Sequence, residues 1–142
     1  MDLPLSHAPL DELTSWHADW AGLRVAVLGL GVTGFSVADT LVEKGCSVLV
    51  VASGASAERR ELLDVIGGHF VAEPPDRAVP EELVAFEPEL IVVSPGYRPD
   101  HPILAWAAGA RIPTWGDIEL AWRVRDKVRA AEWVTVTGTN GK

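Results

Sequence analysis

Short, unbroken runs of apolar residues constrain this chain most. "RVAVLG" at 24–29, "SVLVVA" at 47–52 and "LIVVS" at 90–94 carry no polar residue through their middles. A strand with one wet face alternates apolar and polar residues; a strand covered on both faces does not, and the usual setting for such strands is a parallel sheet between helices. The stretches between the runs read accordingly. Thr33 to Lys44 carries Val37, Ala38, Leu41 and Val42 at helical spacing, and Gly45 follows where a helix-ending glycine is favoured. "AERRELLDVIGG" reads as a helix ending at Gly67 and Gly68, "HFVA" as a short strand and "PEELVAFEP" as a short helix opened by proline. Strand and helix alternate through short links, which predicts an α/β fold: a Rossmann-like open, mostly parallel sheet with helices on both faces.

After the third run, "PGYRPDHP" is a proline-rich loop in which Asp100 is expected to cap a helix at about 101–108, closed by Gly109. "RIPTW" predicts a short strand, "GDIELAWRVRDKV" a helix and "WVTVTG" at 133–138 a final strand. Residues 1–22 form a lead-in that carries Trp16 and Trp20, with a short helix expected from about Asp11. The expected division is a lead-in at 1–22, a nucleotide-binding domain at 23–130 and the start of a further domain at 131–142, with a hinge around 126–132.

A chain of 142 residues that is 48% hydrophobic has the means to build one core. Its net charge of −8 leaves no basic stripe for nucleic acid, and an anionic ligand must be met by backbone N–H groups and local charge. The one basic cluster, "RVRDKVR" at 123–129, reads as a solvated helix face or a phosphate patch. The single cysteine, Cys46, excludes an internal disulfide and is expected to be buried and inert. No signal peptide or membrane-spanning stretch is legible, so a cytoplasmic location is expected.

Open parallel sheets bind ligands at the carboxyl ends of their strands. That directs attention to the loops after residues 28, 52, 93 and 137. The first is "GLGVTG" at 29–34, a G-x-G-x-x-G turn between a strand and a helix. Gly29 permits the tight turn, Gly31 admits a phosphate to the backbone, and Gly34 lets the helix pack closely on the strand. The amides of Val32, Thr33 and Gly34 would face an anion at the helix N-terminus; the other reading is a tight turn with no ligand. The motif suits NAD or FAD, but the second strand ends in Ala52 and Ser53, without the acid a dinucleotide's ribose asks for, although a 2′-phosphate cofactor dispenses with it. In the third loop, Ser94, Pro95 and Gly96 lie where a base or sugar would sit; Tyr97 and Arg98 either reach a ligand or face water. His69 and His101 lack the neighbours for a metal site and are expected to be structural or exposed. The last loop, "TGTNGK", has a strand before it and a lysine at its tip, but Val136 occupies the place of the first glycine of G-x-x-x-x-G-K-[ST].

Four stretches together, "VLGLGVTGFS", "LIVVSPGYRPDHP", "GDIELAWR" and "VTVTGTNGK", resemble the amino-terminal domain of the Mur ligases of cell-wall synthesis, in order and spacing, over roughly residues 22–142. "GTNGK" alone also fits folylpolyglutamate synthetases. The glycine turn with "SPG" and "GDIEL" is similar to the D-glutamate-adding type of Mur ligase. The resemblance implies a three-domain, ATP- and Mg²⁺-dependent enzyme that joins D-glutamate to UDP-N-acetylmuramoyl-L-alanine through an acyl phosphate. It implies that Gly31, Val32, Thr33 and Gly34 hold the UDP diphosphate, that Ser94, Pro95 and Gly96 flank the uracil with Ser53 replacing one hydrogen bond, and that Gly138, Thr139, Asn140, Gly141 and Lys142 hold ATP phosphates. Catalytic residues and metal ligands are expected beyond Lys142, and these 142 residues alone are expected to be inactive. The competing expectation is an NAD(P)-binding Rossmann domain of an oxidoreductase, which leaves "TGTNGK" without a role.

Overall fold

The structure, a computed structural model, describes residues 10–136. Five strands, β1 (Arg24–Leu28), β2 (Ser47–Ala52), β3 (His69–Ala72), β4 (Leu90–Val93) and β5 (Thr114–Gly116), form one sheet in the order β3-β2-β1-β4-β5. Every pairing is parallel, so the sheet is fully rather than mostly parallel. The helices are α1 (Val32–Glu43), α2 (Ala57–Ile66), α3 (Glu81–Phe86), α4 (Pro102–Gly109) and α5 (Asp117–Arg123).

The unbroken apolar runs divide between two cores. Val25, Val27, Val48, Val50, Leu90 and Val92 face α1, α2 and α5 through Leu41, Leu63 and Leu120. Their neighbours Ala26, Leu28, Leu49, Val51 and Ile91 face α3 and α4 through Leu83, Ile103 and Ala107. Period-two alternation therefore persists in the strands, but both of its phases are apolar. Burying each such aliphatic side chain contributes about 1.5–3 kcal/mol, which is why these runs occupy the sheet centre.

The lead-in belongs to the first core. Its described residues begin with a 3-10 turn, Leu10–Glu12, and Leu13 and Trp20 are each 1% exposed. Trp20 meets Trp115 edge to face at 6.3 Å and donates from Nε1 to the Ser15 carbonyl. Arg123, Arg125, Asp126 and Lys127 of the cluster at 123–129 reach this segment, and only Arg123 of them lies on a helix. Helix α5 ends at Arg123, whose Nη1 donates to the Leu10 and Leu13 carbonyls while its guanidinium stacks 4.0 Å from the Trp115 ring. Asp126 accepts from Ser15 Oγ and the Trp16 N–H, and these two bonds hold its carboxyl below the usual carboxylate range. Lys44 and Lys127 both lie 4.5 Å from the Trp16 ring centre. The predicted helix at 116–128 is shorter than expected because Arg123, Arg125 and Asp126 bond to the lead-in instead of extending it.

Two further expectations are revised. The cap of α4 is His101, not Asp100: Pro102 excludes helical geometry at the residue before it, and His101 Nδ1 accepts from the Ile103 N–H. Asp100 pairs with Arg98 at 3.3 Å on the surface. Residues 133–136 of the predicted final strand form no strand, and Val134 and Val136 are 85% and 68% exposed. No described strand pairs with their backbone groups, and a lone strand is not stable in water.

Candidate functional site

The strand order reverses direction between β1 and β4, the point where open parallel sheets bind ligands. A cleft of about 740 Å³ opens there, over the carboxyl ends of β1, β2, β3 and β4. The structure brings Gly31, Val32, Thr33, Gly34, Ser53, Ser94, Pro95 and Gly96 together around it.

The glycine turn has two kinds of glycine. Gly29 adopts φ +103°, and a Cβ on Gly34 would lie 2.1 Å from the Gly29 carbonyl oxygen, so the fold itself excludes side chains at both. Gly31 differs: its φ is −79°, and a Cβ there would meet nothing within 4 Å. Packing therefore does not exclude a side chain at Gly31. Gly31 is the N-cap of α1 but supplies no side-chain cap. The first-turn amides of Val32, Thr33 and Gly34 have no acceptor within the helix and stand at its positive end. Helix ends of this kind favour anions through backbone N–H groups and the helix dipole.

Ser94 packs behind this turn. Its Oγ would lie 2.8 Å from a Cβ on Gly29 and 3.1 Å from one on Gly34. The oxygen is buried and has no hydrogen-bond partner among the described residues. Buried hydroxyls are nearly always satisfied, so an unpartnered one behind this turn stands out. Ser53 stands exposed at the β2 tip, beside buried Ala52.

The wall on the β3 side was not legible as a site. Glu73, Pro74, Pro75 and Arg77 line it, with Tyr97 and His101 beneath. His101 is 2% exposed; because its Nδ1 accepts from Ile103, its Nε2 carries the proton and donates to Glu73 Oε1 at 2.6 Å. Tyr97 packs on the His101 ring at 5.1 Å. Burial pushes the Tyr97 phenol up to about 12; the Glu73 charge adds to the rise and the Arg77 charge opposes it. His101 is thus structural and buried, while His69 is exposed beside Glu82 at 3.3 Å. An acid just past a strand tip, in "HFVAEPP", was the available signal.

No cluster of three or more potential metal ligands occurs among the described residues, and no helix among them is long and apolar enough to cross a membrane. Gly138, Thr139, Asn140, Gly141 and Lys142 lie outside the described residues.

A parallel sheet of this order, with a glycine turn and an open cleft at its reversal point, defines an α/β domain of Rossmann-like class. The chain belongs to the Mur ligase family: the family model for the Mur ligase MurD-like, N-terminal domain matches residues 23–116. It is 62% identical over 144 residues to the UDP-N-acetylmuramoylalanine–D-glutamate ligase of Leifsonia xyli subsp. xyli, across 96% of this chain and 28% of that protein. It is 46% identical over 133 residues to the ligase of the same name from Tropheryma whipplei, across 94% of this chain and 27% of that protein. The chain therefore spans little more than a quarter of these relatives' length. Among solved structures, UDP-N-acetylmuramate-alanine ligase MurC from Thermotoga maritima shares the fold with a TM-score of 0.55 at 22% identity, over 69% of this chain and 21% of that one. These relationships give the oxidoreductase reading no support.

Proposed function

We propose that this chain carries the UDP-substrate-binding domain of the ATP-dependent ligase that adds D-glutamate to UDP-N-acetylmuramoyl-L-alanine in cytoplasmic peptidoglycan synthesis. The observation that carries the reading is Gly31, a glycine that the packing does not require, at the mouth of a cleft whose floor is a free helix N-terminus. The amides of Val32, Thr33 and Gly34 bind the diphosphate. Ser94 Oγ completes its hydrogen bonding against the ligand, and Ser53, Pro95 and Gly96 flank the uracil.

In the whole enzyme the γ-phosphoryl group of ATP passes to the alanine carboxylate, leaving ADP and an acyl phosphate. The amine of D-glutamate then attacks the acyl carbon, an amide forms and phosphate departs. Mg²⁺, when bound, would offset charge on the transferred group, and Lys142 is the residue of this chain proposed to do the same. Gly138, Thr139, Asn140, Gly141 and Lys142 are the residues proposed for the ATP phosphates. The described residues position the nucleotide end of the substrate and take no part in bond making.

Titrating UDP-N-acetylmuramoyl-L-alanine into ¹⁵N-labelled protein tests this. The amide signals of residues 31–34 should shift, with smaller changes at 53 and 94–96, and NADH should leave them unmoved. Unshifted signals at millimolar ligand contradict the proposal.

A further inference from the structure

The cleft is short of positive charge. The whole chain carries a net charge of −8, and the formally charged side chains lining the cleft are Glu73 and Arg77. Glu73 is committed to His101, with the two side chains 7% and 2% exposed. Arg77 is the one cationic side chain among the described lining residues, and no ion pair or hydrogen bond of its guanidinium occurs among the described residues. A diphosphate bound on the α1 amides would otherwise meet only the partial positive charge of the helix end.

Arg77 is also held in place. It adopts φ +60°, a left-handed conformation unusual for a residue with a side chain. Its N–H bonds the Pro74 carbonyl at 2.9 Å, and Asp76 Oδ1 accepts from the Ala78 N–H at 3.1 Å. Pro74 and Pro75 stiffen the turn, and the Glu73–His101 bond anchors its start. A strained residue in a braced turn persists where its neighbours over-determine it, and such residues gather at ligand clamps. The charge of Arg77 also reaches Tyr97 on the cleft floor, since it opposes the rise of the phenol's pKa.

Resting on the UDP-binding reading above, we propose that Arg77 is a specificity-determining residue of this cleft, which meets the diphosphate from the β3 side and supplies the cationic side chain that the rest of the lining does not. The guanidinium fork suits two phosphate oxygens at once, a geometry a lysine does not reproduce. The contact is to phosphate and not to base or sugar, so it discriminates UDP from uridine.

The test is calorimetric titration of UDP and of uridine into the wild-type chain, Arg77→Asn and Arg77→Lys. Asparagine tolerates the left-handed backbone, so the turn survives the loss of charge; unshifted amide signals of Glu73 and His101 confirm it. Arg77→Asn should weaken UDP at least tenfold and change uridine less than twofold, and Arg77→Lys should fall between wild type and Arg77→Asn for UDP. Equal weakening of UDP and uridine, or none of either, overturns the role of Arg77 while the UDP-binding reading stands. If the wild-type chain itself does not bind UDP, both readings fall.

Discussion

His101 and Glu73 meet at 2.6 Å across the cleft floor and tie the start of α4 to the end of β3. The histidine performs two tasks, since its other nitrogen caps the Ile103 N–H. His101→Ala removes the cap, worth about 1 kcal/mol, and leaves a buried carboxyl unpartnered, at a further cost of about 1–3 kcal/mol. His101→Asn keeps a cap but not the reach to Glu73, and should lose less. Urea unfolding of the three proteins gives the order wild type, then Asn, then Ala.

Gly34 is the steric limit of the glycine turn. A methyl group there would sit 2.1 Å from the Gly29 carbonyl oxygen, a backbone atom that cannot turn aside. Gly34→Ala should cost about 3 kcal/mol or more, at the upper end of overpacking effects. It should also displace the amides that face the cleft, so unfolding free energy and UDP affinity fall together.

Ser94→Ala should separate those two properties. It deletes a buried hydroxyl that has no partner among the described residues, so the fold should be unchanged or more stable by up to about 1 kcal/mol. UDP-N-acetylmuramoyl-L-alanine should bind several-fold more weakly, because the ligand loses a hydrogen bond. Thermal unfolding with and without the ligand reads both effects.

Much of this is legible in the sequence, for reasons that particular residues make plain. The central strands announce themselves because both phases of their alternation are apolar, as in Val25 with Ala26. The glycine turn is legible because three glycines at fixed spacing answer to backbone geometry. Capping by His101 was available through Pro102, which bars its predecessor from the helix, but Asp100 is the stronger cap by residue type and drew the expectation. The clamp of Arg123 and Asp126 on the lead-in joins positions more than 100 residues apart, and no local pattern encodes such a contact. The cleft wall at Glu73 and Arg77 follows a four-residue strand and carries no motif; only the topology, which sets β3 beside β2, brings it to the site.

Stability should fall in alkali. Burial pushes the Cys46 thiol up to about 12 from an ordinary value of 9.0, with Lys44 opposing and Glu89 adding to the rise. The unfolded chain releases this proton near its ordinary value while the folded chain retains it. The contribution of this thiol to unfolding free energy therefore stays constant below about pH 9 and declines above it by about 1.4 kcal/mol per pH unit, until the folded thiol also ionises. Cys46→Ala should flatten this limb between pH 9.0 and the onset of tyrosine ionisation. Urea unfolding at stepped pH checks it, and the folded thiol should resist alkylation at neutral pH.

The most direct measurement concerns Gly31, whose backbone geometry suits any residue and whose side-chain position is open. Gly31→Val should leave unfolding free energy within about 0.5 kcal/mol of wild type, as surface substitutions do. Its affinity for UDP-N-acetylmuramoyl-L-alanine should fall at least tenfold in calorimetric titration, because the valine occupies the space the diphosphate needs. A Gly31→Val chain that is equally stable and binds the ligand as well as wild type would contradict the assignment of this turn as the UDP site.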